Sequence, residues 1–337
     1  MLDLEAGHVK EVTALLIGRL GDLIVATPFL RALRARFPRP VLHLVVSAPC
    51  ADAARMIPFV DEVSLFHKLL RPTEDLKLVG RLRRPADLFV DLNPSFSKTA
   101  SALTLLSAAP VKLGFEKKRG ARVLGVTVAQ AGEREPMLDL YARLAAELGA
   151  AYEPATCLAL PVQAESDARA LLARFGPKKG KRLMVHPGNF KKFDNRWPEE
   201  KFVELSDRLT ARGDVSLFYA CGPGEEAQVK ALVAGLKRPV PVLPPCPLAL
   251  TGALMKEMDA CLLNITGTTH LAAALGVPTF GFYSGYTHTV WKPCGPLHDG
   301  VVSPSWESCR DITVDAAEKG LQTFLTKTLP AQSGAPF

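Results

Sequence analysis

The sequence lacks the patterns of secreted, membrane-spanning, disulfide-bonded and zinc-binding proteins. No apolar run reaches about 18 residues, which predicts no transmembrane helix. The first residues lack a basic start followed by an apolar stretch, so we expect no secretory signal. The 7 cysteines are scattered and never form a C-x-x-C pair. That distribution argues against a disulfide framework or a zinc site, and it predicts a soluble cytoplasmic protein.

The glycine fingerprint of dinucleotide-binding proteins, G-x-G-x-x-G, is also missing after the first predicted strand. A nicotinamide-dependent enzyme is therefore the weakest of the function classes considered. No nucleic-acid-binding motif accompanies the net charge of +7, so nucleic acid is not an expected partner. Basic side chains do cluster on three short segments: Arg31, Arg34, Arg36 and Arg39; Arg81, Arg83 and Arg84; and Lys117, Lys118, Arg119 and Arg122. Each cluster could contact a phosphorylated acceptor or an anionic membrane, and each is equally compatible with a solvated helix face.

The pattern that is present is an alternation of buried strands with amphipathic helices, which is typical of parallel α/β sheets. The 337 residues suit two domains, predicted as 1–160 and 161–337, joined through a stretch rich in proline, glycine and charge. The strands predicted for the first domain are 12–17, 41–47, 86–93 and 111–115. Those predicted for the second are 182–188, 215–224, 239–245, 260–267 and 278–284. The predicted fold class is thus α/β with two Rossmann-like domains.

Ligands of such sheets bind at the carboxyl ends of the strands, so the turns after strands are the candidate sites. The first turn, Gly18-Arg19-Leu20-Gly21-Asp22, places the Asp22 carboxylate near a helix N-terminus. Asp22 is therefore either a helix cap or a catalytic carboxylate, and the spacing alone leaves both open.

Two further turns belong to the second domain. His186-Pro187-Gly188-Asn189 is followed by Lys191, Lys192 and Arg196, which could pair with a diphosphate or form a basic surface loop. Cys221-Gly222-Pro223-Gly224 precedes Glu225, which could hold a ribose hydroxyl or simply favour the start of a helix.

The fourth turn, Asn264-Ile265-Thr266-Gly267-Thr268-Thr269-His270, is the most informative. Backbone N–H groups and hydroxyls at a helix N-terminus form a ready anion site, and His270 lies one turn further along. The alternative is threonine capping together with a core histidine.

Taken in order, these segments resemble glycosyltransferase family 9, the ADP-heptose:lipopolysaccharide heptosyltransferases. The segments that carry the resemblance are 18–38, 86–93, 111–120, 185–209, 221–226 and 264–283, which together run through nearly the whole chain. The resemblance implies the GT-B arrangement of two facing Rossmann-like domains with the active site in the cleft. Domain 1–160 would bind a phosphorylated lipid-linked oligosaccharide acceptor, and domain 161–337 an ADP-sugar.

The resemblance further implies an inverting transfer of a heptose-like sugar without an essential metal or other cofactor. Asp22 would be the general base. The donor-binding residues would be Gly188, Lys192, Glu225, Thr266, Gly267, Thr268 and His270, with adenine near Pro245–Pro247. A cytoplasmic location follows, with contact at the inner face of the cytoplasmic membrane as a further expectation.

Two positions depart from the family pattern. Ile265 stands where the family usually has aspartate, and Asn195 where it usually has lysine. The first departure predicts either a donor sugar with another hydroxyl pattern or impaired transfer. A catalytically weak relative that binds nucleotide-sugar or glycan is therefore the alternative to an active transferase.

Overall fold

The computed structural model describes residues 4–5, 7–117, 123–132, 134–178, 180–188 and 196–328. The chain divides into two compact units, of which the first ends at Ala159 and the second begins at Leu160. Each unit is built on one all-parallel sheet, and helices lie between most of its successive strands, so the α/β class predicted from the alternation is confirmed.

The first unit contains a sheet of six strands in the order β3-β2-β1-β4-β5-β6. These strands are β1 Glu11–Leu16, β2 Val41–Ser47, β3 Glu62–Phe66, β4 Leu88–Asp91, β5 Val111–Phe115 and β6 Val126–Val128. The helices are α1 Leu20–Val25, α2 Thr27–Arg36, α3 Ala51–Arg55, α4 Pro72–Leu82, α5 Lys98–Leu106 and α6 Met137–Glu147. Strand β1 pairs with β2 on one side and with β4 on the other. The strand order therefore reverses at β1, and ligands of such sheets bind beyond the carboxyl ends of the strands at a reversal of this kind.

The second unit contains a sheet of five strands in the order β11-β10-β9-β7-β8. These are β7 Lys181–His186, β8 Val215–Tyr219, β9 Ala260–Asn264, β10 Thr279–Tyr283 and β11 His298–Val302. The helices are α7 Val162–Ala173, α8 Glu199–Arg212, α9 Glu226–Ala234, α10 Leu248–Lys256, α11 Gly267–Ala274, α12 Gly285–Trp291 and α13 Val314–Thr328. Here β7 lies between β8 and β9, so this sheet reverses at β7.

The structure differs from the sequence prediction at three places in the second unit, the first of which is the unpredicted strand β11. The stretch 239–245, predicted as a strand, contributes only an isolated bridge between Val242 and Tyr219. Its four prolines lack the N–H groups that a strand interior needs. Helix α7 occupies part of the stretch that was interpreted as an interdomain connection.

Buried aromatic side chains fix the elements that carry the second unit's turns. Trp197 stacks on Phe282 of β10 with ring centroids 4.1 Å apart, and Phe202 of α8 meets both rings edge-on. All three side chains are at most 1% exposed. Stacking and edge contacts of this kind hold the start of α8 against the sheet, close to where β7 and β9 end.

Candidate functional site

The turn after β1 holds Asp22 in a defined position. Asp22 is the third residue of α1, and its Oδ2 accepts the backbone N–H of Arg19 at 2.7 Å. A Cβ placed on Gly18 would lie only 2.8 Å from the same oxygen. Glycine is therefore required for the carboxylate to pack over this turn. The N-cap is Arg19, so the N-cap interpretation of Asp22 is wrong in position, although the carboxylate does bond to the capping residue's backbone.

An ion pair and an asparagine support this turn from the neighbouring strands. Lys117, which follows β5, donates to Asp91 Oδ2 at 2.6 Å, and both side chains are at most 3% exposed. The other oxygen, Asp91 Oδ1, accepts Asn93 Nδ2 at 2.7 Å. Asn93 Oδ1 in turn accepts the backbone N–H of Ile17 at 3.0 Å. A connected set of hydrogen bonds thus links the ends of β4 and β5 to the turn that carries Asp22.

Lys117 corrects one interpretation of the basic clusters. It faces neither solvent nor a ligand surface, because its ammonium group is buried against Asp91. The remaining members of that cluster, Lys118, Arg119 and Arg122, lie outside the described residues.

The Asp22 carboxylate also influences two buried groups nearby. The pKa of the Cys50 thiol is raised to about 11, chiefly by burial and further by the charge of Asp22. Burial likewise raises the pKa of the Tyr141 hydroxyl well above its ordinary value, and Asp22 adds to the effect. Cys50 is therefore a protonated thiol here and not a candidate nucleophile.

In the second unit, the N-terminus of α11 begins directly after β9. Thr266 is the N-cap, and its hydroxyl oxygen accepts the backbone N–H of Thr268 at 3.3 Å. The Thr266 N–H donates to Thr269 Oγ1 at 3.2 Å, and the hydroxyls of Thr266 and Thr268 lie 2.6 Å apart. The hydroxyls thus serve the cap, as the alternative interpretation predicted. The positive end of the helix dipole still lies at half-buried residues, Ile265 through Thr268.

His270 is buried on the inner side of α11. Its side chain is 4% exposed and meets the Trp291 ring edge-on, with centroids 6.0 Å apart. Burial lowers its pKa from 6.5 to about 4, with a smaller contribution from His298. His270 is therefore a neutral imidazole at physiological pH, and it can offer a ligand an N–H but no positive charge.

Gly188 and Glu225 lie together at the carboxyl ends of β7 and β8. A Cβ on Gly188 would lie 2.4 Å from His186 Cε1 and 3.1 Å from Glu225 Oε2. Glu225 Oε2 accepts the backbone N–H of Gly222 at 3.0 Å. Burial lowers the pKa of His186, and the Glu225 carboxylate partly offsets that effect. The missing side chains of Gly188 and Gly222 therefore make room for the Glu225 carboxylate to pack against the backbone.

Asn264 at the end of β9 joins this corner to α8. Its Oδ1 accepts the backbone N–H of Trp197 at 2.8 Å, and its Nδ2 donates to the Pro187 carbonyl at 2.9 Å. The side chain is fully buried. Because β7 pairs with β9, this amide ties the Gly188 turn to the start of α11. The structure thus brings together Gly188, Glu225 and the residues Thr266, Gly267, Thr268 and His270 at one edge of the sheet.

The sequence analysis also named residues that follow Gly188 in the chain. Asn189, Lys191, Lys192 and Asn195 lie outside the described residues. Arg196, which was considered as a diphosphate ligand, forms an ion pair with Glu199 at 2.7 Å.

The described residues contain no group of histidine, cysteine, aspartate or glutamate side chains that could hold a metal ion. In the same part of the chain, none of the helices has the length and apolar character needed to cross a membrane.

Sequence reasoning missed the residues that support the site. Asn93 and Asn264 lie within the segments that carry the family resemblance, but they were not predicted as residues that support the site. A buried strand that ends directly in asparagine is the signal that could have identified them. Asp91 and Lys117 offered no such signal, because 26 residues separate them in the chain.

Comparison with known proteins places the chain in a family. The sequence profile of glycosyltransferase family 9 (heptosyltransferase) matches residues 76–319. Lipopolysaccharide heptosyltransferase 1 of Pseudomonas aeruginosa is 38% identical over 88 residues, which are 26% of this chain and 24% of that protein. The aligned part thus spans about a quarter of this curated relative.

Solved structures share the fold over nearly their full length. A family 9 glycosyl transferase from Veillonella parvula has a TM-score of 0.82 at 18% identity, covering 94% of this chain and 97% of that chain. E. coli ADP-heptose lipopolysaccharide heptosyltransferase II has a TM-score of 0.74 at 18% identity, covering 94% of this chain and 98% of that chain. E. coli heptosyltransferase WaaC, solved with ADP, has a TM-score of 0.70 at 20% identity, covering 94% of this chain and 99% of that chain. The resemblance inferred from the motifs is confirmed: the chain belongs to glycosyltransferase family 9 (heptosyltransferase).

Proposed function

We propose that this chain is an inverting glycosyltransferase that moves a heptose-like sugar from an ADP-sugar to a lipopolysaccharide-core or related glycan acceptor. The observation that carries the proposal is the turn after β1, where Asp22 is held over Gly18 by the Arg19 N–H at 2.7 Å. A carboxylate fixed at the reversing point of a parallel sheet is suited to act on a bound ligand.

In this mechanism the first unit contributes the base. Asp22 takes the proton of the acceptor hydroxyl while that oxygen attacks the anomeric carbon of the donor. The bond from the anomeric carbon to the β-phosphate oxygen breaks, and ADP leaves with the electron pair. Attack opposite to the leaving group inverts the anomeric configuration.

The second unit contributes the donor site. The N-terminus of α11 stabilises the negative charge that develops on the β-phosphate as the bond breaks. Neutral His270 adds one N–H donor, and Glu225 accepts from a ribose hydroxyl beside Gly188. Lys192 is a further donor-binding residue of this proposal. The reaction proposed here uses no metal, because the helix N-terminus takes the charge-stabilising role.

The substitution Asp22→Asn tests the role of the base directly. We expect it to lower kcat for transfer from ADP-heptose by at least about 100-fold, because general-base catalysis is typically worth that much or more. ADP affinity should stay nearly unchanged, since Asp22 belongs to the first unit and the donor residues to the second. Steady-state kinetics together with calorimetric ADP titration measures both.

Asp52→Asn is the matched control, because Asp52 lies in neighbouring α3 with a side chain 63% exposed. It should turn over like the unsubstituted chain. Full turnover by the Asp22 variant would show that the residue has a structural role only, through contacts such as its hydrogen bond with Arg19.

One observation favours the second candidate, a nucleotide-sugar-binding relative with little transfer activity. Ile265 places an apolar, half-buried side chain between Asn264 and the cap of α11. The motif resemblance leads us to expect a carboxylate there that contacts the donor sugar. A panel of ADP-sugars separates the candidates: turnover of any sugar supports the transferase, and ADP binding without turnover of all of them supports the binding protein.

A further inference from the structure

The turn after β3 carries two exposed leucines and has an unusual backbone conformation. Lys68 and Leu69 have φ values of 55° and 63°, in the left-handed region that residues other than glycine rarely adopt. Leu69 is 74% exposed and Leu70 is 85% exposed. Leu76, on the outer face of α4, is 71% exposed. We call Leu69, Leu70 and Leu76 the leucine tip.

A buried carboxylate holds the turn in this form. Asp75 of α4 is 4% exposed, and its Oδ1 accepts the backbone N–H of His67 at 2.7 Å. Its Oδ2 accepts the backbone N–H of Leu69, also at 2.7 Å. Burying a carboxylate is costly unless hydrogen bonds compensate it, and here both oxygens are used to set the turn. These hydrogen bonds therefore fix the backbone of the turn that carries Leu69 and Leu70.

Basic side chains lie beside the leucine tip in the chain. Those exposed within residues 68–77 are Lys68, Arg71 and Lys77. Among the acidic residues of the same stretch, Glu74 pairs with Lys77 at 2.9 Å and Asp75 is buried. The surface around the leucines therefore carries an excess of positive charge.

An anionic lipid surface complements this combination. Exposed leucines partition into the boundary between headgroups and acyl chains, and basic residues around them are attracted to anionic headgroups. A second copy of the chain would instead bring one positive surface against another. We propose that the leucine tip docks this chain onto an anionic membrane surface.

The leucine tip lies at the same edge of the sheet as the Asp22 turn. The link to acceptor binding that this suggests rests on the proposed function. Strands β3, β2 and β1 are parallel neighbours, so the turns after β3 and β1 lie at the same edge. Two inter-strand spacings separate the two strands by about 10 Å. Docking at the tip would hold the edge that carries Asp22 close to the membrane, where a lipid-linked acceptor is anchored.

Flotation of the full chain with vesicles tests the docking itself. The probes are vesicles of phosphatidylcholine alone and vesicles of phosphatidylcholine with phosphatidylglycerol. We expect binding to the anionic vesicles that weakens with added salt. The triple variant Leu69→Gln, Leu70→Gln, Leu76→Gln should lower the partition coefficient at least about tenfold.

The matched control is Leu105→Gln with Val162→Gln, which removes side chains 67% and 82% exposed that lie outside the tip. It should bind anionic vesicles like the unsubstituted chain. Thermal unfolding and ADP titration of both variants show that each is folded and retains its second unit.

Equal vesicle binding by the triple variant and the unsubstituted chain would overturn the proposal. So would no binding of the unsubstituted chain to anionic vesicles, or a triple variant altered only in its self-association. If the chain binds anionic vesicles but transfers no sugar, the result supports membrane docking by the leucine tip and contradicts only the proposed function.

Discussion

At the scale of single residues, the proposed donor site combines a neutral histidine, the Glu225 carboxylate and the N-terminus of α11. The sequence predicts that His270 lies one turn into a helix but does not indicate its charge. In the structure, burial lowers the pKa of His270 from 6.5 to about 4. An uncharged imidazole can donate one hydrogen bond, so selectivity for a diphosphate depends on the N-terminus of α11 and on any cation that joins it.

The substitution His270→Gln has two expected effects. The pKa of His270 is lower in the folded chain than in the unfolded one, so its contribution to stability is present above about pH 6.5 and is lost as pH falls toward 4. The variant should lose less stability than the unsubstituted chain over that interval, as urea unfolding at several pH values would measure. ADP affinity should fall as well, at pH 7 as at pH 8.

His8→Gln is the control for this experiment, because its side chain is 84% exposed. It should leave ADP affinity unchanged. If the His270 variant binds ADP as tightly as the unsubstituted chain does, His270 is not part of the donor site.

At the scale of elements, both units tie their functional turns down with an asparagine. In the first unit, Asn93 after β4 accepts the N–H of Ile17, which precedes the Asp22 turn. In the second unit, Asn264 at the end of β9 donates to Pro187, which precedes Gly188. Asn93 lies just after β4 and Asn264 at the end of β9, and each of these strands pairs with the strand at which its sheet reverses. The two units therefore position different chemistry by the same device.

Replacing the two asparagines by alanine separates their roles. Asn264→Ala and Asn93→Ala should each lower the free energy of unfolding by about 1–3 kcal/mol, because buried backbone partners are left unsatisfied. Only Asn264→Ala should also weaken ADP binding, since it releases the Gly188 turn. Denaturant unfolding and calorimetric ADP titration of both variants make the comparison. Equal loss of ADP affinity in both would contradict the assignment of the donor site to the second unit.

The sequence predicted those elements and site residues that have a local signal. Strands β1, β2, β4 and β5 are short apolar runs, and the turns after strands follow from the parallel topology. The edge strands β3, β6 and β11 were not predicted, because most of their residues are half-buried or exposed and they lack a continuous apolar run. The stretch 239–245 was predicted wrongly as a strand because its valines and leucine outweighed its prolines. The Asp91–Lys117 pair exists only through tertiary structure.

At the scale of the whole molecule, the proposed mechanism divides the work of glycosyl transfer between two sheets. The first carries a fixed carboxylate and an outward leucine tip, and the second a helix N-terminus beside a glycine-flanked glutamate. Membership of glycosyltransferase family 9 supports the general reaction. The central claim is that the second unit holds the adenosine diphosphate part of a sugar donor.

Calorimetric titration of the full chain with ADP, compared with UDP, GDP and NAD, tests that claim most directly. The account predicts saturable binding of ADP, with the other three nucleotides bound at least about tenfold more weakly. NAD binding in preference to ADP, or no binding of any of the four, would contradict it.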